Sequence, residues 1–180
     1  KVQNNPGEAY DKNGNIDGGL DINYNITTGL KASVTLNTDF AETEVDERQI
    51  NLTRFPIRFP EKRDFFLEGA NIYRFASSSG VYPYFSRKIG LQSGNPIPIL
   101  YGGRIIGKIG KVEVAAQQVK TRETDLLNSE DFSVVRLKQN FWKESSMGIL
   151  YTRRHTENGE QLPEPVKDRN TLGVDLSLNT

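Results

Sequence analysis

Leu20, Ile22, Tyr24 and Ile26 are apolar, and Asp21, Asn23, Asn25 and Thr27 between them are polar. After Thr28-Gly29 the alternation resumes, with Leu30, Ala32, Val34 and Leu36 set against Lys31, Ser33, Thr35 and Asn37. Period two places successive side chains on opposite faces of an extended chain, so each run is a strand with one apolar and one polar face. The short connection makes the pair a hairpin. The same signature returns at 99–109, 112–120, 132–140, 146–153 and 171–179, and more weakly at 49–55. No long helical period occurs. The chain is therefore expected to be all-β, an antiparallel meander of seven long strands. Strands of eight to eleven residues exceed the usual globular length of about 5–6.

The connections fall into two kinds. Thr27-Thr28-Gly29, Gly110-Lys111 and 141–144 are short; 122–131 and 156–167 are longer and polar. If the strands run up and down in turn, every short turn lands on one side, provided that 40–97 adds no spanning strand or two. Membrane barrels of the bacterial outer membrane have this asymmetry, with short periplasmic turns and long outer loops. A soluble β-sandwich shares the alternation. Strand length, polar faces of Asn, Thr, Ser and Asp with few long charges, and aromatics near strand ends (Tyr101, Phe141, Trp142, Tyr151) favour the barrel. On this assignment Val34 faces lipid and Thr35 the interior, so arginine at 34 is expected to be costly and at 35 mild.

Composition narrows the partners. Lys and Arg total 23 and Asp and Glu 23 in 180 residues, a balance that argues against a nucleic-acid binder. Without cysteine there is no disulfide framework, thiolate metal site or cysteine nucleophile. No run of about 18 apolar residues is present, which excludes a membrane helix and leaves strands open. The chain begins at Lys1 without a leader and stops inside the run TLGVDLSLNT, so it is expected to be a piece of a longer protein.

Between the hairpin and the later strands lies RFPIRFPEKRDFFLEG, 54–69, which fits no regular element throughout. Each proline holds the preceding Phe55 or Phe59 extended. Pro60 suits the first position of a helical turn, Glu61 its acidic first turn, and Gly69 its stop. A short helical turn at 61–67 is predicted. Arg54, Arg58, Lys62 and Arg63 face Asp46, Glu47, Glu61, Asp64 and Glu68, a mixture suited to a confined polar cavity where charges must be paired.

This stretch is also where the chain resembles a known family. Asn37-x-Asp39-Phe40, Asp46, Asn51-Leu52, the run from Phe59-Pro60-Glu61-Lys62-Arg63 through Phe65-Phe66 to Glu68-Gly69, and Ser86-Arg87-x-Ile89-Gly90 are similar to the C-terminal region of a large family of outer-membrane β-barrel proteins. In that family a family-nine-type carbohydrate-binding domain usually comes first, and some members carry the label membrane-associated hydrolase. Asp64 stands where the family often has Pro. The resemblance implies part of a large transmembrane β-barrel in the outer membrane of a Gram-negative bacterium. Residues 1–19 would be loop or linker and 20–180 wall, with 40–97 inserted in the lumen or across its mouth. Asp39, Asp46, Arg54, Phe59, Pro60, Glu61, Lys62, Arg63, Phe65, Phe66, Glu68, Gly69 and Arg87 would form a structural, plug-like motif. The implied role is passage or handling of a solute, saccharides included, at the cell surface, with the lipid bilayer as partner. Two rivals stand beside it: a soluble β-rich binding module of a carbohydrate-active protein, and an outer-membrane hydrolase with its site in lumen or loops.

Catalytic signals are weak. His155 is the single histidine, in a polar setting after Arg153-Arg154. Ser77-Ser78-Ser79-Gly80 is not a nucleophile elbow. Glu61 and Glu68 would make a glycosidase pair, but Lys62, Arg63 and Arg87 beside them would hold both ionised. Asp11, Asn13, Asn15 and Asp17 alternate as oxygen ligands, yet Ile16 and Ile22 occupy places where a calcium loop needs Gly and Glu. No catalytic residue, metal ligand or cofactor is expected.

Overall fold

A computed structural model describes residues 19–38, 60–76, 80–92, 95–124, 128–142, 144–157 and 168–178. Strands β1 (Leu20–Thr27), β2 (Leu30–Thr38), β5 (Ile99–Ile109), β6 (Val112–Thr121), β7 (Glu130–Phe141), β8 (Ser145–Thr156) and β9 (Asp168–Ser177) form one sheet in that order. Every neighbouring pair is antiparallel. The two short strands β3 (Leu91–Gln92) and β4 (Asn95–Pro96) pair only with each other. Among the described residues the 40–97 segment therefore adds no strand to the large sheet, and β2 pairs directly with β5. The expected strand at 49–55 lies outside the described residues. Short turns join β1 to β2, β5 to β6 and β7 to β8 at one edge, and the longer connections lie at the other.

The two faces of the sheet are dressed in reverse of a one-sided soluble sheet. One register row runs Tyr24, Ala32, Ile105, Ala116, Val135, Tyr151, Leu172, and the next on the same face runs Leu30, Gly107, Val114, Leu137, Ile149, Val174. On this apolar face Tyr24, Ile105, Val135, Leu137, Ile149, Leu172 and Val174 are exposed. Alternate rows, such as Asn23, Ser33, Arg104, Gln117, Val134, Thr152, Thr171, point the other way, and residues of 60–76 and 80–90 pack on that face. The core is built there. Ile72 and Tyr73 pack with Ile106, Ala115, Val134 and Leu150; Phe66 and Ile89 pack with Ile99 and Val119.

The apolar set is skewed across the sheet. A single row is apolar at Leu20, Leu36 and Tyr101 but polar at Lys120, Asp131, His155 and Asp168. On β9 the exposed apolar residues have moved toward the short-turn edge, to Leu172, Val174 and Leu176, with Leu178 just beyond the strand. At that edge Phe141 and Trp142 stack edge to face at 5.4 Å. Trp142 is 83% exposed and holds a left-handed φ of 51°.

Three expectations need correction. The polar face is not confined to short side chains, because Arg104, Arg136, Arg154 and Arg169 all belong to it. Tyr151 lies mid-strand opposite Val135 instead of near an end. Thr35 does lie opposite in face to Val34, but it is 0% exposed, so arginine there would be as disruptive as in any packed interior.

Candidate functional site: the block docked on the polar face

The block begins with Glu61 folding back on its own chain. Its Oε1 accepts the backbone N–H groups of Lys62 and Arg63 at 3.1 Å each, and Arg63 Nε at 2.7 Å. Those bonds hold Pro60–Lys62 out of helical geometry, so the helix α1 is shorter than predicted, Asp64–Leu67, led by an extended Arg63. Gly69 ends the turn as expected, at φ 73°. A Cβ on Gly69 would also lie 2.9 Å from Ile106 Cδ1 on β5, so conformation and close approach both require glycine.

Arg63 joins the two motifs of the resemblance. Besides Glu61, its guanidinium donates to the carbonyl oxygens of Ile89 at 2.6 Å and Ser86 at 2.8 Å, and lies 4.1 Å over the Phe66 ring. The side chains of Arg63 and Glu61 are 4% and 9% exposed. The 60–69 and 86–90 stretches thus meet in one buried ionic knot. Arg87, in the 3-10 turn Ser86–Lys88, is buried as well.

A second knot ties the block to the sheet. Arg104 on β5 donates to the carbonyl oxygens of Phe65 and Glu68, to Ser33 Oγ, and to Glu68 Oε2 at 2.6 Å. Lys31 on β2 reaches Glu68 Oε1 at 2.7 Å. A third sits at the far end, where Arg136 on β7 grips Asp175 on β9 through both guanidinium nitrogens at 2.6 and 2.8 Å. Asp175 also accepts the backbone N–H of Ala76. Glycines under these contacts leave the space. A Cβ on Gly102 would stand 3.1 Å from Phe65, on Gly148 2.8 Å from Arg136, and on Gly173 2.6 Å from Phe75.

The predicted motif residues Pro60, Glu61, Lys62, Arg63, Phe65, Phe66, Glu68, Gly69 and Arg87 thus lie in one block, while Asp39, Asp46, Arg54 and Phe59 lie outside the described residues. The partners of Glu68 differ from those expected: Lys31 and Arg104, with Lys62, Arg63 and Arg87 playing no part in its ion pairs. Sequence reading missed Lys31, Arg104, Arg136 and Asp175. The signal was present in their parity, which puts each of these charges on the polar face of its strand.

Neither glutamate is poised as an acid. Burial pushes Glu61 up, but the hydrogen bond and charge of Arg63 outweigh it and hold the carboxyl below its ordinary range. The hydrogen bond from Lys31 holds Glu68 low against a smaller burial effect, and Arg104 adds to it. A carboxylate kept ionised by a neighbouring cation is a poor proton donor. His155 sits near the long-loop edge with Nδ1 3.0 Å from Asp168, which also pairs with Arg153. No metal-holding group of His, Asp and Glu occurs among the described residues. No helix among them is long and apolar enough to cross a membrane, which says nothing of strands.

Residues 2–133 match the family described as a domain of unknown function (DUF5916). No curated protein matches the chain, and no solved structure does.

Proposed function

The chain belongs to the DUF5916 family, and we propose that it is part of the wall of an outer-membrane β-barrel, with the 60–90 block lying in the lumen. The observation that carries this reading is the reversed dressing of the sheet. Large apolar side chains stand bare on one face from β1 to β9 while the polar face holds the core. Soluble proteins rarely leave a contiguous apolar patch beyond a few hundred Å² uncovered; lipid is the solvent in which such a face is stable. The skew supports the same reading. A membrane slab cuts tilted strands at a different residue on each one, so its apolar belt must step across register rows. Trp142, held exposed in a strained turn at one edge, suits an interfacial anchor.

In this setting the block narrows or plugs the lumen, and the role of the whole barrel is passage or handling of a solute at the cell surface. The test is fractionation of the full-length protein from its host. It should be recovered with the outer membrane, require detergent, and run at different mobility on a gel before and after heating. Recovery as a detergent-free soluble monomer would sink the reading.

A further inference from the structure

Between the block and strands β7 to β9 lies a cleft of about 190 Å³. Phe85 and Lys88 of the block form one side, and Phe132, Arg154, Arg169 and Thr171 of the polar face form the other. Arg154 and Arg169 stand directly opposite each other in the β8–β9 register, an arrangement that destabilises a sheet when both charges are alike. Arg154 is engaged by Glu130, its Nε donating at 2.9 Å, and lies 5.4 Å from the centre of the Phe132 ring. The side chains of Arg169 and Lys88 are exposed and make no hydrogen bond or ion pair among the described residues. Four cations, Lys88, Arg153, Arg154 and Arg169, thus border one cleft, and among the described residues two of them meet a carboxylate, Arg154 on Glu130 and Arg153 on Asp168. The other arginines of the polar face, Arg104 and Arg136, are each matched to an acid.

We propose that this cleft binds small organic anions. Arg169 and Arg154 present their guanidinium groups to a carboxylate or phosphate, which removes their mutual repulsion. Lys88 flanks the same group from the block. Phe85 and Phe132 supply an apolar side for the body of the molecule, and the hydroxyl of Thr171 a hydrogen bond. The site is made jointly by wall and block, so it exists only when the block is docked. It stands on the cleft alone, whether or not the sheet spans a membrane.

Calorimetric titration of the detergent-purified full-length protein with benzoate and with inorganic phosphate tests this. Saturable binding of either probe is expected, weakened about tenfold or more by Arg169→Gln and largely retained by Arg169→Lys. Tighter binding of benzoate assigns a carboxylate ligand, and tighter binding of phosphate a phosphorylated one. Arg169→Gln should also raise the melting temperature without anion, by relieving the opposed charges, and lose the rise that benzoate gives the wild type. A folded wild type that binds neither probe, or an Arg169→Gln variant that binds as tightly, overturns the proposal. A protein that binds benzoate yet fractionates as soluble keeps this site and loses only the barrel.

Discussion

Arg63 shows how a strongly charged segment can be interior. Its guanidinium is met by one carboxylate two residues earlier and two carbonyl oxygens more than twenty residues later. Removing Glu61 leaves the cation without its counter-charge, and breaking such a pair costs about 3–5 kcal/mol. Glu61→Gln is therefore expected to lower stability in urea unfolding by that order, with the loss concentrated in the block. Acid should act on the same bond. Because the folded carboxyl lies below its ordinary 4.5, its contribution is intact above that value and fades as pH falls through the lower folded one. Amide exchange at Lys62 and Arg63, corrected for intrinsic rates, should quicken in the wild type as pH falls below the ordinary value of 4.5 and show no such acid limb in Glu61→Gln. Gly173 makes the converse point. A methyl there would meet the Phe75 ring at 2.6 Å, so Gly173→Ala should destabilise by about 1–3 kcal/mol. Phe75→Ala in the same chain should recover part of that loss; equal loss in single and double variants would contradict the contact.

At the scale of elements, the faces of β1 and β2 can be tested directly. Val34 is 42% exposed on the apolar face, and Asn25 is exposed on the polar one. Arginine at 34 should cost about 2–4 kcal/mol if the site lies near mid-membrane, whereas Asn25→Arg should be much milder. Outer-membrane yield and heat-modifiable mobility read the difference, and equal effects would contradict the assigned faces. These faces were legible because period two needs no tertiary information: Leu20 to Leu36 sorts itself by parity alone. The strand limits at 99–109 were equally plain. The helical turn was misjudged at its start, since Pro60 signals a first helical position only if Glu61 is free to enter the helix, and its carboxylate is instead spent on the amides of Lys62 and Arg63. The partners of Glu68 were illegible for another reason. Lys31 and Arg104 lie 37 and 36 residues away, and only the docking of the block brings them within reach.

At the scale of the whole molecule, β1 and β9 each have one neighbour among the described residues. In hydrocarbon every unsatisfied backbone group is costly, so spanning sheets close and leave no edge. If the sheet spans a membrane, both outer rows must be paired by further strands, and the barrel is larger than these seven. Cross-linking of cysteines placed at the edges, one on β1 and one on β9, is then expected to join each to another strand of the full-length protein and not to its opposite edge. The block's footprint bears on how such a wall is assembled. Gly102 and Gly173 belong to two different strands, and each leaves room for one side chain of the block, Phe65 or Phe75. A one-residue slip of β9 would carry Asp175 to the other face and put Leu172 or Val174 under the Phe75 ring. The block can then seat only on strands that are already in step. Docking and strand register are thereby coupled, so that a slipped sheet would be left without its cover.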